Sequence, residues 1–327
     1  MNPRHITPIL GDDGSPQCLG RGGFGAVYVA RLKGRTEDVA VKSVIDLADP
    51  RAAAQFRKEY ALHLQISIRG DAGVCRIFGM CEGHPIFNTC FIMHRYERSL
   101  LDEIESAGGR GLDVARVMYI AAIIARTLAT LHTVHNLIVA DLKPSNVLLD
   151  ARGEPVISDF GVSSVVASTM GAVGGVSKGK VGGTYPFQSP EQLGAEDDEG
   201  EELRVTTQSD VWNFACTVLY ALTGTRPWWD AAKGMSRSHT FVFKRVAVQQ
   251  RSPLAEATLP ADAPRELCAL LESCFRFEAS TRPCFEGADG IAASLEVKIP
   301  KRADSPAALA DTLSMREAAL AEQCPVW

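Results

Sequence analysis

Residues 138–149 read Ile138-Val139-Ala140-Asp141-Leu142-Lys143-Pro144-Ser145-Asn146-Val147-Leu148-Leu149. An acid, a cation two residues on and an amide three after that lie between apolar runs. This is the pattern of a loop between short buried strands that aims polar side chains into one cleft. In such a loop Asp141 can accept a hydroxyl proton and Lys143 can neutralise a transferring phosphoryl group. The Asn146 amide oxygen can serve Mg²⁺, a hard cation that takes oxygen ligands. Taken alone, the same residues also describe a strand, an Asx-type turn and a returning strand with no chemistry.

Other stretches bear on that choice. Leu19-Gly20-Arg21-Gly22-Gly23-Phe24-Gly25-Ala26-Val27-Tyr28 is glycine-rich, and Val39-Ala40-Val41-Lys42 follows it as a short β-type run carrying one lysine. Gly20, Gly22 and Gly25 let the backbone lie close over phosphate oxygens so that amide hydrogens face the charge. Phe24 at the turn tip would shield that site from water. Beyond the loop come Ile157-Ser158-Asp159-Phe160-Gly161 and then Ser189-Pro190-Glu191. With these in hand the chain resembles the eukaryotic protein kinase superfamily, which carries the same motifs in the same order. A dinucleotide-binding reading of the glycines fails, because Val27 to Ala30 continues as strand and no helix opens on the last glycine.

The resemblance implies an α+β, two-lobed fold. A flexible lead-in (1–17) precedes a small antiparallel β lobe with one helix (about 18–96), a larger mostly helical lobe (about 97–297) and a tail with helical potential (298–327). ATP and Mg²⁺ are the implied cofactors, and serine or threonine hydroxyls of protein substrates the implied acceptors. ATP would sit between the lobes, its phosphates under the stretch that runs through Leu19, Gly20, Gly22, Gly23, Phe24 and Gly25. Val27 and Ala40 would pack adenine from above and Leu148 from below. Met93 would be the gatekeeper, with His94 to Tyr96 offering backbone hydrogen bonds. Lys42 would meet the α- and β-phosphates, held by Glu59 from the helix that Ala52 to Leu62 predicts. Asp141 would orient the substrate hydroxyl and take its proton, Lys143 would offset charge on the γ-phosphate, and Asn146 and Asp159 would hold Mg²⁺. Lys143 and Thr184 match the serine/threonine branch. The glycine stretch and Gly183-Thr184-Tyr185 before Ser189-Pro190-Glu191 look most like the tyrosine-kinase-like group.

Apolar spacing predicts a helix over Asp113 to His135, whose stripe is core. A very apolar helix is predicted from Thr206 to Leu222, with closing helices over Pro264 to Phe275 and Phe285 to Leu295. By resemblance, Asp210 would brace the catalytic loop and Arg282 would pair with Glu191. Gly161 to Gln188 reads as an activation segment, with Ser163, Ser164, Ser168, Thr169 and Ser177 as candidate phosphate acceptors. After Lys301-Arg302, Ser305-Pro306 can cap a helix through Glu322.

Length and composition agree with this picture. At 327 residues the chain exceeds one compact core. Hydrophobic content of 46% with 22% charge predicts a folded protein rather than a disordered one. A net charge of −5 argues against nucleic-acid binding as the main task. The acidic run Glu196 to Glu202 reads as a solvated loop, or as an attractor of basic substrates. The nine cysteines contain no C-x-x-C pair and sit mostly among apolar residues, which suits reduced thiols in a cytoplasmic or nuclear compartment. Met1 to Gly14 has no secretory pattern. The apolar stretch Val117 to Ala125 is broken by Arg126, short of the roughly 20 residues that a membrane span needs.

Two departures from the family pattern carry consequences. The family has His-Arg before the catalytic aspartate, and this chain has Val139-Ala140. The arginine ordinarily grips a phosphate on the activation segment, so its loss predicts that phosphorylation there is not the on-switch, or acts through other cations such as Lys178 or Lys180. His63, four residues after Glu59, stands where the family prefers an apolar residue. Together these leave an alternative open: a pseudokinase scaffold that binds nucleotide or a partner without turnover. Against it, Lys42, Glu59, Asp141, Asn146 and Asp159 are all present. An adaptor acting through residues after Pro300 is disfavoured by how little sequence lies there.

Overall fold

Successive side chains of a strand point to opposite faces of its sheet, and in Val39-Ala40-Val41-Lys42 both faces are covered. Val39 and Val41 join Ile6, Ala30, Leu32, Phe87 and Ile92 in one hydrophobic cluster, while Ala40 and Lys42 are buried on the other side. The computed structural model describes residues 1–22, 25–44, 50–70, 73–161, 164–165, 184–194, 205–230, 235–236 and 238–295. The chain divides into two compact units, one from Met1 to Tyr96 and one beginning at Glu97.

The first unit is an antiparallel sheet of β1 (Ile6–Pro8), β2 (Cys18–Gly22), β3 (Gly25–Leu32), β4 (Asp38–Ser43), β5 (Ile77–His84) and β6 (Asn88–His94), with α1 (Pro50–Arg69) between β4 and β5. Its order is β1-β3-β4-β6-β5, and β2 also pairs with β3. β1 corrects the expectation of a flexible lead-in over 1–17. Ile6 stands opposite Leu32 and Pro8 opposite Ala30, and the Ile6 side chain is buried in the cluster. Three residues ending in proline give almost no strand signal, yet an edge strand tolerates proline because one side of its ladder needs no donor.

In the second unit β7 (Arg98–Ser99) leads into α2 (Leu100–Ser106), and α3 (Val114–Thr133) follows. Asp113 caps α3, accepting from the amides of Ala115 at 2.9 Å and Arg116 at 3.3 Å. By length and composition α3 could cross a membrane, but half of its most apolar window is buried inside the folded unit. Beyond α3 come β8 (Leu137–Ile138), β9 (Val147–Leu149), β10 (Pro155–Ile157) and β11 (Ser164–Val165). β9 pairs with β7 and β10, and β8 pairs with β11.

The helices α4 (Pro190–Leu193) and α5 (Thr207–Thr223) follow. α5 is buried along Ser209 to Leu222. It ends on Gly224, whose φ of 67° puts it in the left-handed region, where an added Cβ would lie 2.3 Å from the Gly111 nitrogen. Then follow α6 (His239–Phe243), α7 (Arg265–Cys274) and α8 (Ile291–Ser294). The helix expected over Phe285 to Leu295 is thus reduced to α8. Gly287 takes φ 89°, and a side chain at Gly290 would meet the Glu286 carbonyl oxygen at 2.2 Å, so the chain turns tightly before the helix begins. The residues expected to form the activation segment between 166 and 183, the acidic run and the tail lie outside the described residues, as do Lys178 and Lys180.

Candidate active site

In the first unit the Lys42 Nζ lies 2.6 Å from Glu59 Oε1, with side-chain exposures of 8% and 2%. Such a pair holds because each charge offsets the other; either one left alone at this depth would carry a large desolvation penalty. Cross-strand register puts Val27 opposite Lys42 and Met93 opposite Ala40. Val27, Ala40, Lys42 and Met93 therefore share one face of the sheet. Leu19 and Gly20 lie on β2, where Leu19 is exposed and Gly20 has open space beside its Cα.

Gly25 is glycine for a local reason: a Cβ there would sit 2.4 Å from the Ser43 carbonyl oxygen. Gly22 ends β2, whereas Gly23 and Phe24 lie outside the described residues. The His94 amide donates to the Arg76 carbonyl at 2.8 Å. His63 is buried against Phe91, with its Nε2 2.6 Å from the Cys75 carbonyl oxygen.

In the second unit the chain bends sharply just before Asp141. Ala140 has φ 65°, a left-handed conformation that costs an alanine roughly 1–2 kcal/mol. Buried side chains hold it there. Asp210 of α5 accepts from the Val139 amide at 2.9 Å, the Ala140 amide at 2.7 Å and His132 Nε2 at 2.8 Å. Gln192 of α4 donates from Nε2 to the Ala140 carbonyl at 2.8 Å. The Ala140 methyl packs with Ile138 and Val205. Arg282 braces α4 from behind, its guanidinium donating to Glu191 at 2.7 and 2.9 Å. Burial would raise the Glu191 carboxyl, but the Arg282 bonds and charge outweigh it and hold the group below its ordinary value.

Past the bend, Asp141 Oδ2 accepts from Lys143 Nζ at 2.6 Å and Oδ1 accepts from the Thr184 amide at 3.0 Å. Lys143 Nζ also donates to Thr184 Oγ1 at 2.6 Å. Burial pushes the Asp141 carboxyl above its usual range, the Lys143 charge pulls against this, and the nearby Asp159 carboxylate adds to the rise. The Asn146 Nδ2 donates to the Asp141 carbonyl at 2.9 Å. Its nitrogen is thereby committed to the loop, which leaves the amide oxygen as the atom that could serve a metal. Ser158 ties Asp159 to this residue, because its amide and hydroxyl donate to the Asn146 carbonyl at 2.8 and 3.0 Å. Asp159 itself has φ 61°, and Phe160 beside it is buried.

Among the described residues no group of three or more His, Cys, Asp or Glu side chains gathers as a metal cage. An amide oxygen from Asn146 and a carboxylate from Asp159 fit Mg²⁺, which usually takes one or two protein ligands and draws the rest from phosphate and water. Leu148 is half-buried on β9, between the fully buried Val147 and Leu149.

Asp141, Lys143, Asn146 and Asp159 are thus brought together within the second unit, and Lys42 with Glu59 within the first. Sequence reasoning missed His132, Ser158 and Gln192. Each acts on a backbone group or through another side chain, and no spacing in the sequence announces such a role.

The sequence pattern described as protein kinase domain matches residues 15–290. The chain is 29% identical over 240 residues to E3 ubiquitin-protein ligase KEG of Arabidopsis thaliana, covering 67% of this chain and 14% of that protein. It is 27% identical over 265 residues to Mitogen-activated protein kinase kinase 1c of Physcomitrium patens, covering 81% and 71%. To the Probable serine/threonine-protein kinase PBL23 of Arabidopsis thaliana it is 28% identical over 281 residues, covering 81% and 68%. Its share of the length of such relatives ranges from 14% to 76%.

Proposed function

The chain belongs to the protein kinase family, and we propose that it is an active enzyme that transfers the γ-phosphate of Mg²⁺-ATP to serine or threonine hydroxyls of protein substrates. The observation that carries this reading is the cluster of Asp141, Lys143 and Thr184, joined by bonds of 2.6 to 3.0 Å. Asp141 orients the substrate hydroxyl and accepts its proton, and a carboxyl raised by burial is a stronger base than one in water. Lys143 offsets negative charge that develops on the transferring group. Its bond to the Thr184 hydroxyl supports the serine/threonine assignment, as does the name of the relative PBL23. Lys42, held by Glu59, is the cation for the α- and β-phosphates. Mg²⁺, held by Asn146 and Asp159, would neutralise phosphate charge when bound. Most of the rate gain comes from positioning and electrostatics, since no covalent intermediate is needed. A cytoplasmic location is part of this proposal, in keeping with the free cysteines.

A second reading, a scaffold that binds nucleotide or a partner without turnover, rests on Val139 and Ala140 in place of His-Arg. The test is phosphate transfer by purified protein from Mg²⁺-ATP to a generic basic protein, run beside Asp159→Ala. Transfer that vanishes in the variant supports the enzyme. Nucleotide binding without transfer in either protein supports the scaffold.

A further inference from the structure

Both polar groups of the Ala140 backbone end on buried side chains from other elements. Its amide donates to Asp210 of α5 at 2.7 Å, and its carbonyl accepts from Gln192 of α4 at 2.8 Å. Gln192 is itself buried, and the other end of its amide is fully used. Its Oε1 accepts from the Ser189 amide at 2.9 Å, the Ser189 hydroxyl at 3.1 Å and Asn213 Nδ2 at 3.0 Å. These partners fix which way the amide faces, because turning it over would aim its NH₂ at the Ser189 amide and its oxygen at the Ala140 carbonyl. Asn213 Nδ2 also donates to the Phe187 carbonyl at 2.6 Å. Gln192 therefore links three pieces of chain: the turn through Tyr185–Phe187, the start of α4, and the residue immediately before Asp141.

We propose that Gln192 is a positioning residue for phosphate transfer. It holds Ala140 in its left-handed conformation and so aims Asp141, coupling the end of the activation segment to the catalytic loop without any phosphate. This inference rests on the reading of the chain as an active kinase. In the family pattern an arginine at position 140 makes that coupling by gripping a phosphate. Here position 140 carries only a methyl, packed with Ile138 and Val205, and the link runs instead through the residue's own carbonyl. A neutral amide whose oxygen is itself held by Ser189 and Asn213 makes this link without any added group, whereas a phosphate clamp is conditional.

The test compares wild type with Gln192→Met, similar in volume but unable to donate, alone and combined with Ala140→Gly. The expected result is a fall in kcat of about five- to tenfold, the worth of roughly one buried hydrogen bond, with KM for ATP within about twofold of wild type. Glycine enters left-handed space without penalty, so Ala140→Gly in the Gln192→Met background should recover kcat by about threefold. An unchanged kcat, or a loss that the glycine does not recover, overturns the proposal, because a side chain that only packs α4 gains nothing from a glycine at 140. If wild type transfers no phosphate, the kinase reading fails and hydrogen exchange decides this one. Faster exchange of the Val139 and Ala140 amides in the variant supports the positioning role, and unchanged exchange overturns it. Should Gln192→Met fail to fold, Gln192→Asn, too short to reach both partners, takes its place with the same expectations.

Discussion

Residues 139–140 and 141–146 adjoin in one loop and are held by opposite means. The first pair is gripped through its backbone: Asp210 and Gln192 take both amides and one carbonyl at 2.7 to 2.9 Å, all of it buried. The second group is held side chain to side chain, with Lys143 shared between Asp141 and Thr184 at 2.6 Å. A bend fixed through its backbone needs no particular polar side chain, which is why Val139-Ala140 can stand where the family has His-Arg and leave the bend intact. A cluster fixed through side chains has no such tolerance, because the atoms that hold it are the ones proposed to do the chemistry. Substitutions in the two halves should therefore fail in different ways.

The largest effect is expected in the cluster. Asp141→Asn keeps the size of the side chain and removes the proton acceptor, so turnover should fall by about a hundredfold or more while ATP affinity stays within a few-fold. Equal losses in both, measured by steady-state kinetics and nucleotide titration, would show that Asp141 serves binding and would erase the contrast with the bend.

Next comes the bend. Asp210→Asn leaves one oxygen for the three donors of Val139, Ala140 and His132 and turns an NH₂ toward the others. Hydrogen bonds to a charged group contribute about 1.5–3 kcal/mol each, so a stability loss of roughly 2–4 kcal/mol in denaturant unfolding is expected, with kcat falling as the loop loosens. The order of effects is reversed from Asp141→Asn: stability first, activity second. A variant as stable as wild type but inactive would place Asp210 in the chemistry instead.

What the sequence makes legible follows the same division. Asp141, Lys143, Asn146 and Asp159 could be read because their chemistry needs fixed residue types at short spacing, and Lys42 with Glu59 because a strand-end lysine needs a partner one helix away. The grip of Gln192 on Ala140 was not legible, because it joins positions 52 residues apart through a carbonyl that every residue owns. β1 was hidden for a related reason: Ile6-Thr7-Pro8 becomes a strand only because β3 offers it an edge. The Phe285 to Leu295 helix failed on Gly287 and Gly290, whose conformations outweigh the apolar spacing.

A smaller effect separates the charges within the cluster. Burial raises the Asp141 carboxyl and the Lys143 charge lowers it. Asp141 must be ionised to accept a proton, so the acid limb of kcat/KM reports its protonation. Removing the cation in Lys143→Met leaves burial less opposed, and the limb should move to higher pH relative to wild type whatever the fall in absolute rate. A limb that stays in place, or moves to lower pH, would mean that another group sets it.

The smallest effect is expected from phosphatase treatment. In a kinase that uses the arginine clamp, removing a phosphate from the activation segment releases the residue before the catalytic aspartate, and the aspartate with it. At Ala140 there is no guanidinium to release: the amide and carbonyl are held by Asp210 and Gln192, neither of which needs a phosphate. Activity before and after phosphatase should then differ by well under about tenfold, less than the charge-assisted bonds of a phosphate clamp would contribute. A greater loss would mean that a phosphate acts on the cluster at Asp141 and Lys143 by a route that bypasses residue 140. The bend would then be a passive support, and Gln192→Met should cost no activity beyond what phosphatase has already removed.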